Sequence, residues 1–198
     1  VITVSTGFTI NDLRSFNEVL PIPFESIWMT FKTTPPLSDL SFLTGVTNLD
    51  IWGMNKCSLT LPTNIVELQL NQFTAEVTVF GTENVTSLSL SDLSRRVPIQ
   101  CPKLQKLYWH SNEILSEKGL PCSVSTLTTF SFLTFEGKSI DPTYRFPTQL
   151  TSLRLRVYES PVDITQLTPL TRLQQLSIHS SKNRDPLDFS GLTGLTTL

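Results

Sequence analysis

Apolar positions along the chain fall into one template, apolar-x-x-apolar-x-apolar. Its copies are Phe24-Ile27-Met29, Val46-Leu49-Ile51, Ile65-Leu68-Leu70, Val85-Leu88-Leu90, Leu104-Leu107-Trp109, Leu127-Phe130-Phe132, Leu150-Leu153-Leu155 and Leu173-Leu176-Ile178. A ninth begins at Leu195, and the chain stops inside it at Leu198. Successive copies start 19 to 23 residues apart. All 24 template positions of the eight complete copies are apolar, which random placement at 39% apolar content gives about once in 10^10. Among the intervening sites only Trp28, Val66 and Tyr108 are apolar or aromatic. The chain is therefore built from an internal repeat.

The second half of each template alternates with period two, which predicts a short strand with one buried face. The chain must then travel out and back in about fifteen residues. Three copies carry a second alternation at the same offset, Val77/Val79, Val97/Ile99 and Val162/Ile164, which predicts extended segments on the opposite side. Three copies return with period three: Asp39-Leu40-Ser-Phe-Leu43, Asp163-Ile164-Thr-Gln-Leu167 and Asp188-Phe189-Ser-Gly-Leu192. That period suits a 3₁₀ turn, with each Asp placed to accept a backbone N–H as an N-cap. Others place proline just before the strand, as Leu61-Pro62, Cys101-Pro102 and Phe146-Pro147, where a missing donor costs nothing.

Composition agrees with this picture. The 198 residues include a single alanine, Ala75, so a helix-rich architecture is unfavourable. Charged residues make up 16% with a net charge of −2, and no Lys/Arg cluster marks a nucleic-acid binder. No apolar run is long enough to span a bilayer.

The repeats resemble leucine-rich repeats over residues 24–198, with about nine copies. Leu104-Gln-Lys-Leu107-Tyr-Trp109-His-Ser-Asn112 carries that family's L-x-x-L-x-L-x-x-N in full, and the Asp-apolar-x-x-Leu copies resemble its internalin-like subclass. Elsewhere the Asn site holds Met54, Phe73, Leu93, Phe135, Tyr158 or Ser181, so the turn after the strand needs other partners, and Phe73, Phe135 and Tyr158 suggest an aromatic spine. The resemblance implies a leucine-rich repeat solenoid of the α/β class. That fold is a curved right-handed stack with a parallel concave β-sheet, and its convex side here would be short extended segments and 3₁₀ turns with little α-helix. Residues 1–23 are the candidate N-terminal cap region. The array ends without a second cap, which predicts a longer parent protein.

Catalytic and metal-binding patterns are missing, so no catalytic residue, metal site or cofactor is expected. Cys57, Cys101 and Cys122 form no C-x-x-C pair, and Cys101 occupies the pre-proline slot of Leu61 and Phe146, which predicts a buried free thiol. His110 and His179 fall three repeats apart, about 14 Å at the usual strand spacing and too far for one metal ion.

What remains is the outward face of the strands. One column reads Trp28, Asp50, Gln69, Ser89, Tyr108, Ser131, Arg154, Ser177; the next reads Thr30, Trp52, Asn71, Ser91, His110, Leu133, Arg156, His179. Trp28 and Trp52 fall on adjacent strands beside Asp50. Tyr108, His110, Arg154, Arg156 and His179 form a second cluster, and Trp, Tyr and Arg are the residue types that dominate protein interfaces. Trp109 sits in a core column. Asn84-Val85-Thr86 is the one N-glycosylation sequon, which with a Thr-rich, charge-poor surface points to the cell exterior; the missing cysteine caps point the other way.

The expected function is a protein-interaction module docking a protein partner on its concave sheet, as the recognition part of a larger surface, secreted or scaffold protein. The alternatives are a substrate-recognition or autoinhibitory region of a larger ligase, kinase or phosphatase, and a structural array whose open edge stacks on a second copy.

Overall fold

The computed structural model describes residues 2–4, 11, 14, 15, 18, 25–30, 37–53, 57–73, 77–91, 99–111, 114–116, 125–134, 140–158, 161–180 and 188–198. The chain divides into two compact units, Val1–Lys103 and Leu104–Leu198. Each is a parallel-strand β-solenoid with almost no helix. Helical backbone among the described residues is confined to Asn11, Arg14, Ser15 and Glu18 and to a 3₁₀ turn, Ile164–Leu167.

In unit 1 the repeat strands are β2 (Ser26–Thr30), β4 (Asn48–Trp52), β6 (Glu67–Asn71) and β8 (Ser87–Ser91), preceded by β1 (Ile2–Val4). Neighbours pair in parallel with no slip: Leu49 faces Leu68, which faces Leu88. Strand β1 joins as a further rung, Ile2 opposite Ile27, so part of the predicted cap is a strand of the same ladder. In unit 2, β9 (Lys106–His110), β10 (Thr129–Thr134), β11 (Ser152–Val157) and β12 (Gln175–Ser180) pair the same way. The ninth copy adds a single bridge, Gln175 to Thr197.

The register follows from the template. Ile27, Leu49, Leu68 and Leu88 form one fully buried column and Met29, Ile51, Leu70 and Leu90 the next. A one-residue slip would turn both columns to solvent, so burial itself locks the alignment. Ahead of β4, β6, β8, β10, β11 and β12 two successive N–H groups share one carbonyl of the previous coil; Thr47 and Asn48 donate to Glu25 O, and Thr128 and Thr129 to Gln105 O.

A second parallel sheet in unit 1, β3 (Leu37–Asp39), β5 (Cys57–Thr60) and β7 (Val77–Phe80), lies on the return side. The Val77/Val79 alternation predicted β7; β3 and β5 were not predicted. The Val162/Ile164 segment forms no strand: Asp163 is extended, but Ile164 begins the 3₁₀ turn. Asp163 Oδ1 accepts from Thr165 N at 2.9 Å and Thr165 Oγ1 at 2.7 Å, and this local bonding overrides the alternation. Val97 lies outside the described residues.

Asp39 and Asp188 accept from the N–H two residues on, as expected, and so does Asp141. The hydroxyl of the Ser or Thr two residues on, together with its N–H, holds all four carboxyls below the usual carboxylate range. The pre-proline residues Leu61, Cys101 and Phe146 are all buried, and the carbonyls of Pro62 and Pro147 close tight turns onto Ile65 and Leu150.

The positions before β6, β8, β10 and β11 form a second ladder. Asn64 Nδ2 donates to Thr44 O at 2.6 Å, Asn84 Nδ2 to Thr63 O at 2.8 Å, Thr126 Oγ1 to Leu104 O at 2.5 Å, and Gln149 Nε2 to Ser125 O. Phe73 is buried and Tyr158 half-buried, while Met54, Leu93, Asn112, Phe135 and Ser181 lie outside the described residues. The aromatic packing of unit 2 runs instead through the core: Trp109 against Phe132 at 5.3 Å, and Phe146 edge-on to Tyr144 at 4.9 Å and near Phe130 at 6.3 Å.

Candidate functional site

On the unit 1 face, pairing sets Trp28 beside Asp50 and Thr30 beside Trp52. The two tryptophans are diagonal neighbours with ring centres 6.4 Å apart, inclined at 57°. Trp28 is 43% exposed, large for so apolar a side chain, and Trp52 is half-buried. A hydrogen-bonded chain crosses three strands here: Asn71 Nδ2 donates to Asp50 Oδ1 at 2.9 Å, and Ser91 Oγ donates to Asn71 Oδ1 at 2.5 Å. Asn71 is only 5% exposed although it points outward, so it acts as a strut that orients Asp50. Trp28, Asp50, Glu67 and Gln69 line an open pocket of ≈ 180 Å³.

On the unit 2 face, Tyr108 is also 43% exposed. Ser131 separates it from Arg154, and Leu133 separates His110 from Arg156, placing each pair about 10 Å apart at the usual strand spacing. Arg156 pairs across to His179, whose ring stands edge-on to Tyr158 at 5.5 Å. The structure thus holds the predicted residues as two groups, one on each unit.

The faces differ in sign. Outward positions of β2, β4, β6 and β8 carry Asp50 and Glu67 and no Lys or Arg, whereas those of β9 to β12 carry Lys106, Arg154 and Arg156 and no carboxylate. Glu67, Lys106 and the Asn71 strut were not singled out from sequence. Glu67 and Lys106 occupy the first outward position of their strands, one step before the two tabulated columns, and that position was the available signal.

Asn84 holds the turn ladder: besides donating to Thr63 O, its Oδ1 accepts from Lys103 Nζ at 2.6 Å. Its carboxamide nitrogen, the atom a glycan would take, is engaged between coils. Cys101 is buried, and desolvation pushes its thiol up to about 11, away from the reactive thiolate. The Cys57 side chain and Cys122 lie outside the described residues. Among the described residues no group of three His, Cys, Asp or Glu side chains could hold a metal ion, and no helix is long and apolar enough to cross a membrane.

Comparison of the chain with protein-family models, with curated proteins and with solved structures finds no match.

Proposed function

We propose that the chain is a leucine-rich-repeat-type solenoid that recognises a protein partner on the outward faces of its repeat strands. Trp28, Asp50 and Trp52 are the anchors of one unit; Tyr108, His110, Arg154, Arg156 and His179 are those of the other. The observation that carries this reading is the sorting of the two faces. Each presents an exposed aromatic side chain, and each carries charge of one sign with no counter-charge among its outward positions. Opposite charges on neighbouring strands stabilise a sheet, and neither face uses such a pair among its outward positions. Aromatic and arginine side chains at the centre of a face supply most of the energy of protein interfaces.

The test compares capture from the protein's own source by the wild-type chain and by a Tyr108→Ala/Arg154→Ala double variant. A specific partner should be retained by the first and lost, about tenfold or more, by the second, while thermal melting stays unchanged. Equal capture by the two would remove the unit 2 face from recognition.

A further inference from the structure

The unit 1 face is built to meet a positive charge. Asp50 and Glu67 stand on adjacent strands, Asp50 one outward step from the residue opposite Glu67. Both line the pocket beside Trp28, and the outward positions of the four repeat strands supply no cation to neutralise them. The one ion pair among the described residues, Arg14 with Asp39 at 3.7 Å, lies elsewhere. Asn71 occupies Asp50 Oδ1 and leaves Oδ2 without a partner among the described residues. Trp28 offers a half-exposed ring, steadied by Trp52, at the rim of the same pocket. An aromatic face attracts a cation through its quadrupole, and two carboxylates close by add full negative charge. The contrast with unit 2, whose outward positions are basic, shows that the acidity is local and not the average of the surface.

We infer that this pocket receives a basic segment of a partner protein, with a Lys or Arg side chain laid across Trp28 and its charge held between Asp50 and Glu67. The inference rests on the protein-binding reading above and names the partner chemistry of one face. A peptide is the fitting source of the cation, because Asn48 and Gln69 flank the pocket with side-chain amides that can bond an extended main chain. An anionic segment is repelled, and a neutral ring stacking on Trp28 gains nothing from the two carboxylates.

The test uses the whole chain and a short fluorescein-labelled peptide alternating arginine and serine, against its glutamate-serine counterpart, read by fluorescence anisotropy. The basic peptide should bind and the acidic one should not, and affinity should fall as salt rises from about 50 mM to about 500 mM. Glu67→Gln and Asp50→Asn should each weaken binding about two- to fivefold, and Asp50→Asn still offers an oxygen to Asn71. Trp28→Ala should weaken it about fivefold. Glu83→Gln, in the turn before β8, should change nothing and so controls for net charge. Binding that survives both carboxylate substitutions, or that Glu83→Gln weakens as much, overturns the inference. Loss in Trp28→Ala without loss in the carboxylate variants also overturns it, in favour of a neutral stacking ligand. If Trp28→Ala lowers the melting temperature sharply, the two carboxylate variants decide alone. A chain that ignores the basic peptide yet loses its partner through Tyr108→Ala/Arg154→Ala overturns this inference and leaves the protein-binding reading standing.

Discussion

At the scale of single residues, four aspartates do similar work. Asp39, Asp141, Asp163 and Asp188 each accept from the N–H of a Ser or Thr two positions on. Each carboxyl is held below its ordinary value of 3.8: for Asp39, Asp141 and Asp163 chiefly by the hydroxyl of that Ser or Thr and then by its N–H, and for Asp188 by the N–H first and the hydroxyl second. A lowered folded-state pKa contributes stability above the unfolded value, lost as pH falls through the folded one. Asp163→Asn, which keeps an acceptor but not the charge, should therefore be less stable than wild type near neutral pH, and the gap in urea midpoint should close below the ordinary carboxylate range. A gap independent of pH would show that the charge contributes nothing. Asp163→Ala, which removes the acceptor, should cost about 1 kcal/mol. Three of these aspartates were legible from the apolar spacing that follows them. Asp141 was not, because Pro142 stands where the others have Leu40, Ile164 or Phe189, and Arg145 where they have Leu. The hydroxyl at the second position after each Asp was the better signal, since it names the bonding partner.

At the scale of elements, the repeat strands were legible and the return strands were not. A repeat strand has two inward apolar residues in every complete copy, and its neighbours repeat the message. The return strands β3 and β5 are short, and Leu37-Ser-Asp or Cys57-Ser-Leu-Thr offers too little alternation to read. Their existence depends on hydrogen bonds to the next coil, such as Leu40 N to Thr60 O and Leu61 N to Phe80 O, which no local pattern encodes. The turn after β7 shows how tight these returns are. Gly81 adopts φ +81°, and a Cβ there would sit 2.6 Å from the Leu61 carbonyl oxygen. Gly81→Ala should lower stability by about 1–3 kcal/mol in denaturant unfolding, through backbone strain and that clash. A cost near zero would mean that the return relaxes without disturbing β5 and β7. The candidate site divides in the same way: Trp28 beside Asp50 followed from strand order, while the Asn71 strut did not, because an outward amide gives no sign in sequence of which side chains it will join.

At the scale of the whole molecule, stability is a matter of neighbouring coils. A repeat array gains its energy from interfaces between adjacent repeats, so damage should stay near its source. Leu107 is fully buried at the centre of β9, and Leu107→Ala should cost about 2–5 kcal/mol. Hydrogen exchange should then show amides of β9 and β10 losing protection while those of β2 and β4 keep theirs. Uniform loss across both units would mean that the chain unfolds as one cooperative body.

The unslipped pairing of the repeat strands has a bearing on how such a chain can change length. Copies of 19 to 23 residues share one alignment, Leu49 to Leu68 to Leu88 in unit 1 and Leu107 to Phe130 to Leu153 in unit 2. All the difference in length is absorbed in the returns. A single residue added within a strand inverts inside and outside for the rest of that strand. A whole copy duplicated or excised leaves every remaining column intact. Descendants of this sequence can therefore lengthen or shorten by unequal exchange in whole-coil steps, adding or removing rungs of outward side chains without redesigning the interior.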